Sequence, residues 1–165
     1  MKMLHKERWN MLTKKPSQTV GLSPRSQQSA KLKKKIAQKS GHQALIALGP
    51  EGFVKFCRGR DVNTQLKAAR YWQHLPVQIY GVWWCENEQA AEQLKKEVER
   101  HCREVFPIED GAGYFQMPVA DEMVDKVVCL AAAHVGVMSF SDALREEWLV
   151  EQVKKYRAHQ FQNVG

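Results

Sequence analysis

From residue 43 onward the chain alternates short apolar runs with polar breaks marked by glycine or proline; before residue 43 it has no such rhythm. Ala44-Leu45-Ile46-Ala47-Leu48 is an unbroken apolar run that stops at Gly49-Pro50-Glu51-Gly52, and Phe53-Val54-Lys55-Phe56-Cys57 resumes it. Two such runs around a Gly/Pro turn predict a β-hairpin. Arg58-Gly59-Arg60-Asp61 reads as a loop, with Asp61 the N-cap of a helix from Val62 to about His74 that Pro76 closes. Val77–Trp84 alternates at first and then becomes wholly apolar, the pattern of a central strand. Asn87 or Glu86 caps a second helix to about Val105, with Ala91, Leu94, Val98, Cys102 and Phe106 on one stripe. After the loop Gly111-Ala112-Gly113, Tyr114–Met117 is a short extended piece, and Asp121–Ala133 is a third helix. Ser139 or Ser141 caps the last one, Asp142 to about His159, with Leu144, Trp148, Leu149, Val153 and Tyr156 facing inward.

Residues 1–42 hold too little apolar surface to offset the entropy of ordering, and Pro16 and Pro24 interrupt them. The segment is expected to be a flexible, lysine-rich arm. Lys6–Leu12 and Ala30–Gln38 have helical spacing but are too short to be stable alone, so they would order on a partner. The expected fold class is α+β. A small three-stranded sheet (hairpin, helix, strand, helix) fills residues 43–118, and helices of residues 119–165 pack on it.

Charge sharpens this division. Residues 1–42 carry 11 Lys and Arg against one acid, residues 43–76 five against two, and residues 77–165 nine against 15. The net charge of +7 is therefore concentrated in the first half, which points to a polyanionic partner, nucleic acid foremost. No run of about 18 apolar residues exists to span a membrane. The basic start lacks the apolar stretch of a secretory signal, so a cytoplasmic protein is expected. Cys57, Cys85, Cys102 and Cys129 are spaced like neither a zinc site nor a disulfide framework, and read as buried reduced thiols. His74, His101 and His134 show no metal-ligand spacing, and the Glu/Lys-rich second helix reads as a solvated face. Trp83 and Trp84, adjacent on a strand, point to opposite faces and read as core.

The order hairpin, Gly-Arg-x-Asp loop, helix, strand, helix resembles the GIY-YIG nuclease fold in its T5orf172-like branch. The residues that carry the likeness are Gly52–Asp61, Gln65-Leu66-Lys67, Leu75-Pro76-Val77, and Gly113-Tyr114-Phe115, which is similar to the family's Glu-Trp-Phe segment. The resemblance covers about residues 43–118 and implies a phage or mobile-element origin. It also implies metal-assisted hydrolysis of a phosphodiester, with Mg²⁺ or Mn²⁺ as cofactor.

At each catalytic position this sequence departs from the family. Lys55 stands where the second tyrosine would be, Gln65 where an arginine would meet the phosphorane, and Lys95 where a glutamate would hold the cation. A hard cation needs carboxylate oxygen, and a lysine repels it. The resemblance thus implies a degenerate, non-catalytic member without a cofactor, whose remaining asset is a binding surface. That surface is Lys31, Lys33, Lys34 and Lys35 on the arm, with Lys55, Arg58, Arg60, Lys67 and Arg70 on the hairpin, loop and first helix. Gly59 would let the backbone approach a phosphate while Arg58 and Arg60 fork onto it. The expected partner is nucleic acid, DNA rather than RNA. Two alternatives stand beside this one. A shifted active site would make Glu92 the metal ligand of a working endonuclease. A protein-interaction module would use the basic arm and the acidic helices.

Overall fold

The computed structural model describes residues 24–73, 76–107 and 113–162. Lys6–Leu12, His74 and the loop Gly111-Ala112 therefore lie outside the described residues. The chain forms two compact units, residues 1–32 and 33–165. Helix α1, Pro24–Lys39, runs across the division between them. It starts well before the expected Ala30. Proline suits the first helical position because its missing N–H would have no partner there. Gln27 and Gln28 suit a helix, and Ser29 turns its hydroxyl onto the Arg25 carbonyl one turn back.

Within the second unit the order is β1 (Gln43–Gly49), β2 (Phe53–Gly59), α2 (Val62–Gln73), β3 (Gln78–Cys85) and α3 (Glu88–Val105). It continues with β4 (Phe115–Gln116), α4 (Ala120–Val135), β5 (Ser139–Phe140) and α5 (Asp142–Gln162). The expected three strands form the centre of a sheet that has five, all antiparallel, in the order β4-β2-β1-β3-β5. The two additional strands are two-residue edges, too short to carry a periodic signal. The α+β class stands; the strand count is corrected.

Every residue of β1 is buried, which explains its unbroken apolar run. The β1–β2 turn depends on Gly49, where a Cβ would come within 2.1 Å of the Phe53 carbonyl oxygen. On one face of the sheet, Leu45, Ala47, Val54 and Phe56 pack with Ala91, Leu94, Val98 and Cys102 of α3 and Val124, Val128 and Ala131 of α4. On the other face lie Ala44, Ile46 and Leu48, opposite α2 and α5. Trp83 and Trp84 divide as expected. Trp83 packs with the α3–α4 core, and its ring fills the space above Gly81. Trp84 is buried, donates its indole N–H to Asp142 and carries the Arg145 guanidinium 3.6 Å above its ring.

The caps follow the sequence. Asp61 accepts from the Asn63 N–H, Asn87 from Ala90 and Ser141 from Leu144. Helix α5 departs from expectation, because Leu149 alone is buried while Leu144, Trp148 and Tyr156 are exposed. Among the cysteines, Cys85 and Cys102 are buried thiols, but Cys57 is half-buried and Cys129 exposed; none is paired. No helix among the described residues is long and apolar enough to cross a membrane.

Candidate nucleic-acid interface

Helix α1 has the sequence PRSQQSAKLKKKIAQK: Arg25 and five lysines, no acid and no buried residue. Lys31, Lys34 and Lys35 are exposed. Lys33 is half-buried and pairs with Glu146 of α5. The four lysines predicted for binding therefore divide into three that face solvent and one with a carboxylate partner.

The predicted cationic face of the second unit does not stay together. Alternate residues of a strand point to opposite faces. Lys55 and Arg58, three residues apart on β2, therefore leave the sheet on opposite sides. Lys55 lies on the α2 side, its ammonium 5.7 Å from the centroid of the Tyr114 ring. Beyond β2, Arg60 and, on α2, Lys67 are exposed, and Arg70 is half-buried with an interaction partner of its own.

Arg58 belongs to the α3 side. Its Nε lies 2.8 Å from Glu92 Oε2, and its Nη1 donates to Glu88 Oε1 at 2.9 Å and to Gln43 Oε1 at 2.7 Å. Two carboxylates and an amide thus hold the guanidinium over an open depression lined by Glu88, Gln89, Glu92, Gln93 and Lys96. The geometry makes Arg58 a tie between β2 and α3. The two carboxylates already offset its charge, which weakens its pull on a phosphate. Of the two arginines expected to fork onto a phosphate, Arg58 meets protein partners and Arg60 is exposed. Glu92, the fallback metal ligand, is occupied by Arg58.

Of the positions that the resemblance marks as catalytic, Lys95 is paired with a carboxylate. Lys95 Nζ lies 3.3 Å from Glu99 Oε1, an i,i+4 pair on the flank of α3 that runs beside β2. In the sequence Glu99 reads as part of the solvated Glu/Lys face, and its partner Lys95 lies one turn away. Glu88, Glu92, Lys95 and Glu99 share one side of the helix, adjoining the buried stripe Ala91, Leu94, Val98 and Cys102. Gln65 packs against Gly59, where a Cβ would meet its Nε2 at 2.9 Å. Burial pushes the nearby Cys57 thiol up, with Lys55 and Lys95 acting against the shift, so it is no ready nucleophile.

A second polar cluster was missed. On the opposite flank of α3, Glu97 and His101 meet His134 of α4, although the sequence spacing gave the two histidines no partner. Glu97 and His101 are an i,i+4 pair, visible in principle; His134 comes from another helix, and only the α3–α4 packing brings it in. Hydrogen bonding from Arg100, with His134 adding to it, pulls the Glu97 carboxyl down to about 2.

No family model, curated protein or solved structure matches this chain.

Proposed function

We propose that the protein binds nucleic acid, with helix α1 as its principal electrostatic element. The observation that carries this reading is a 16-residue helix with six cationic side chains, no carboxylate and no buried position. Such a surface gains little from any protein core and much from releasing counterions off a polyphosphate. Lys55 on the α2 side of the sheet, with the exposed Arg60 and Lys67, adds further basic positions. DNA is the expected partner. The reading also takes the hairpin, α2, β3 and α3 as a GIY-YIG-like scaffold of phage or mobile-element type, without catalysis. Gln65 supplies no positive charge, and Lys95 opposes any cation beside Glu99.

The test is binding of the full chain to duplex and single-stranded DNA and RNA at several salt concentrations. Neutralising Z phosphates gives a slope of log K against log salt of about −0.9Z on duplex DNA. Deleting residues 1–39 should flatten that slope by several units. A slope that survives the deletion would move binding elsewhere. Absence of binding at low salt would remove the reading.

A second reading, a protein-docking module, is favoured by α5, whose 21 residues bury Leu149 alone and leave Phe161 77% exposed.

A further inference from the structure

The Glu97, His101 and His134 cluster stands apart from every basic surface described above and is built on two packed helices. The candidate ligand atoms of the three residues all lie within 4.8 Å of one another. Glu97 Oε1 is 3.3 Å from His101 Nε2 and 2.7 Å from His134 Nδ1. Zinc bound to nitrogen and carboxylate oxygen at about 2.0–2.2 Å in a tetrahedron keeps its ligand atoms about 3.3–3.5 Å apart. The two Glu97 contacts bracket that separation, and the two imidazole nitrogens lie within 4.8 Å of each other.

The placement follows from the fold. Residues 97 and 101 are one helical turn apart, so both side chains leave the same flank of α3. Val98 and Cys102 of α3 are buried in the same core as Val124, Val128 and Ala131 of α4, which fixes the two helices against each other. His134 lies in the last turn of α4 and reaches across to Glu97. The His101 and His134 rings meet edge to face with centroids 6.1 Å apart. His101 Nε2 is shielded from solvent, and its 3.3 Å contact with Glu97 Oε1 lacks hydrogen-bond geometry. A buried imidazole nitrogen without a satisfied hydrogen bond is a cost that a ligand at this point removes.

We propose that Glu97, His101 and His134 form a binding site for a borderline divalent cation of the Zn²⁺ type. Two imidazoles and one carboxylate match zinc, cobalt and nickel and discriminate against Mg²⁺ and Ca²⁺, which prefer oxygen throughout. Three protein ligands leave a fourth position for water.

Arg100 is the main objection. Its Nη2 lies 2.6 Å from Glu97 Oε1 and its Nε 3.3 Å from Oε2. A carboxylate has about four acceptor sites, so one guanidinium does not exhaust it. Glu104 Oε1, 3.1 Å from Arg100 Nη1, offsets part of the guanidinium charge. In the metal-bound state Arg100 becomes the outer hydrogen-bond partner that orients the ligating carboxylate. Binding requires that His134 Nδ1 give up its proton. The proton moves to Nε2 of the same ring if the imidazole is neutral, or to solvent if it is charged.

The test uses the full chain without nucleic acid, so it stands or falls independently of the proposed function. Zn²⁺ is titrated by calorimetry, and Co²⁺ is added as a visible probe of coordination. The expected result is one ion per chain, a cobalt spectrum of low coordination number, a rise in Tm with Zn²⁺, and no response to Mg²⁺. His134→Ala and Glu97→Gln should each weaken binding at least about tenfold, a loss that even an indirect partner of a metal ligand produces. Each variant's metal-free melting curve shows that it is folded. His101→Asn, which keeps a polar group of smaller size, serves where the first two are unstable. Cys129→Ser, which removes the exposed thiol, should leave binding unchanged. Absence of saturable binding, or binding that persists unaltered in the His134 and Glu97 variants, overturns the site.

Discussion

His42 and Trp148 meet ring against ring at 4.8 Å, so the residue just before β1 is held by the helix that ends the described chain. Phe140 closes a second side of the imidazole at 5.0 Å, and His42 Nδ1 is buried without a hydrogen-bond partner. Desolvation there, with Arg145 as a second cause, lowers the His42 pKa from its ordinary 6.5. The unfolded chain therefore takes up this proton at higher pH than the folded one does. Stability should be full above about pH 7, fall as pH drops from the unfolded value to the depressed folded one, and level off below it. His42→Phe should flatten that step in denaturation midpoints measured between pH 5 and 8. A step of unchanged size would assign it to another group.

Gly81 gives Trp83 its place. A Cβ on residue 81 would lie 2.3 Å from the Trp83 ring, so Gly81→Ala should cost about 1–3 kcal/mol as an overpacking defect. Adding Trp83→Leu should recover part of that loss. Strict additivity in a double-mutant cycle would show that the two positions do not share the space.

Arg58 should behave as a structural residue. Arg58→Ala removes its bonds to Glu88, Glu92 and Gln43. The partners are partly exposed, so the expected loss in urea denaturation is about 1 kcal/mol. Nucleic-acid affinity should change by less than about threefold. Arg60→Glu with Lys67→Glu should weaken it well beyond that. The reverse ranking would return the phosphate contact to Arg58.

On α1, Lys31→Gln, Lys34→Gln and Lys35→Gln together should flatten the salt slope by about 2–3 units, since each neutralised phosphate contributes about 0.9. Lys33→Gln alone should change it least, because Glu146 already holds that ammonium. Equal effects from all four positions would mean that the Lys33 pair does not persist in solution.

With branched, single-stranded and duplex substrates and Mn²⁺, the protein should bind without cutting. Cleavage lost in Glu99→Ala but kept in Glu92→Ala would make the flank beside β2 an active site and end the non-catalytic reading.

Where one residue's chemistry set the outcome, the sequence could be read directly. Asp61, Asn87 and Ser141 cap the helices assigned to them, and the stripe Ala91, Leu94, Val98 and Cys102 is the buried face of α3. Strands β4 and β5 escaped because two residues have no period, and their pairing depends on partners far along the chain. The divergence of Lys55 and Arg58 was legible too: they differ by an odd number of strand positions, so they leave the sheet on opposite sides. Glu88 and Glu92 as partners of Arg58, and His134 as a partner of Glu97, are separated from them by about 30 residues or more. Such pairs follow from tertiary packing, which no local pattern encodes.

Strand β1 hydrogen-bonds to β2 on one side and β3 on the other, yet it is the first strand of the sheet in chain order. During synthesis it leaves the ribosome before either neighbour. The β2 hairpin can close at once, but the other edge of β1 waits until β3, which starts 35 residues after β1, has been made. Its seven residues have no charge to discourage wrong pairing in that interval. The highly charged helix just ahead of them, already synthesised, provides the nearest solubilising segment while the strand is open.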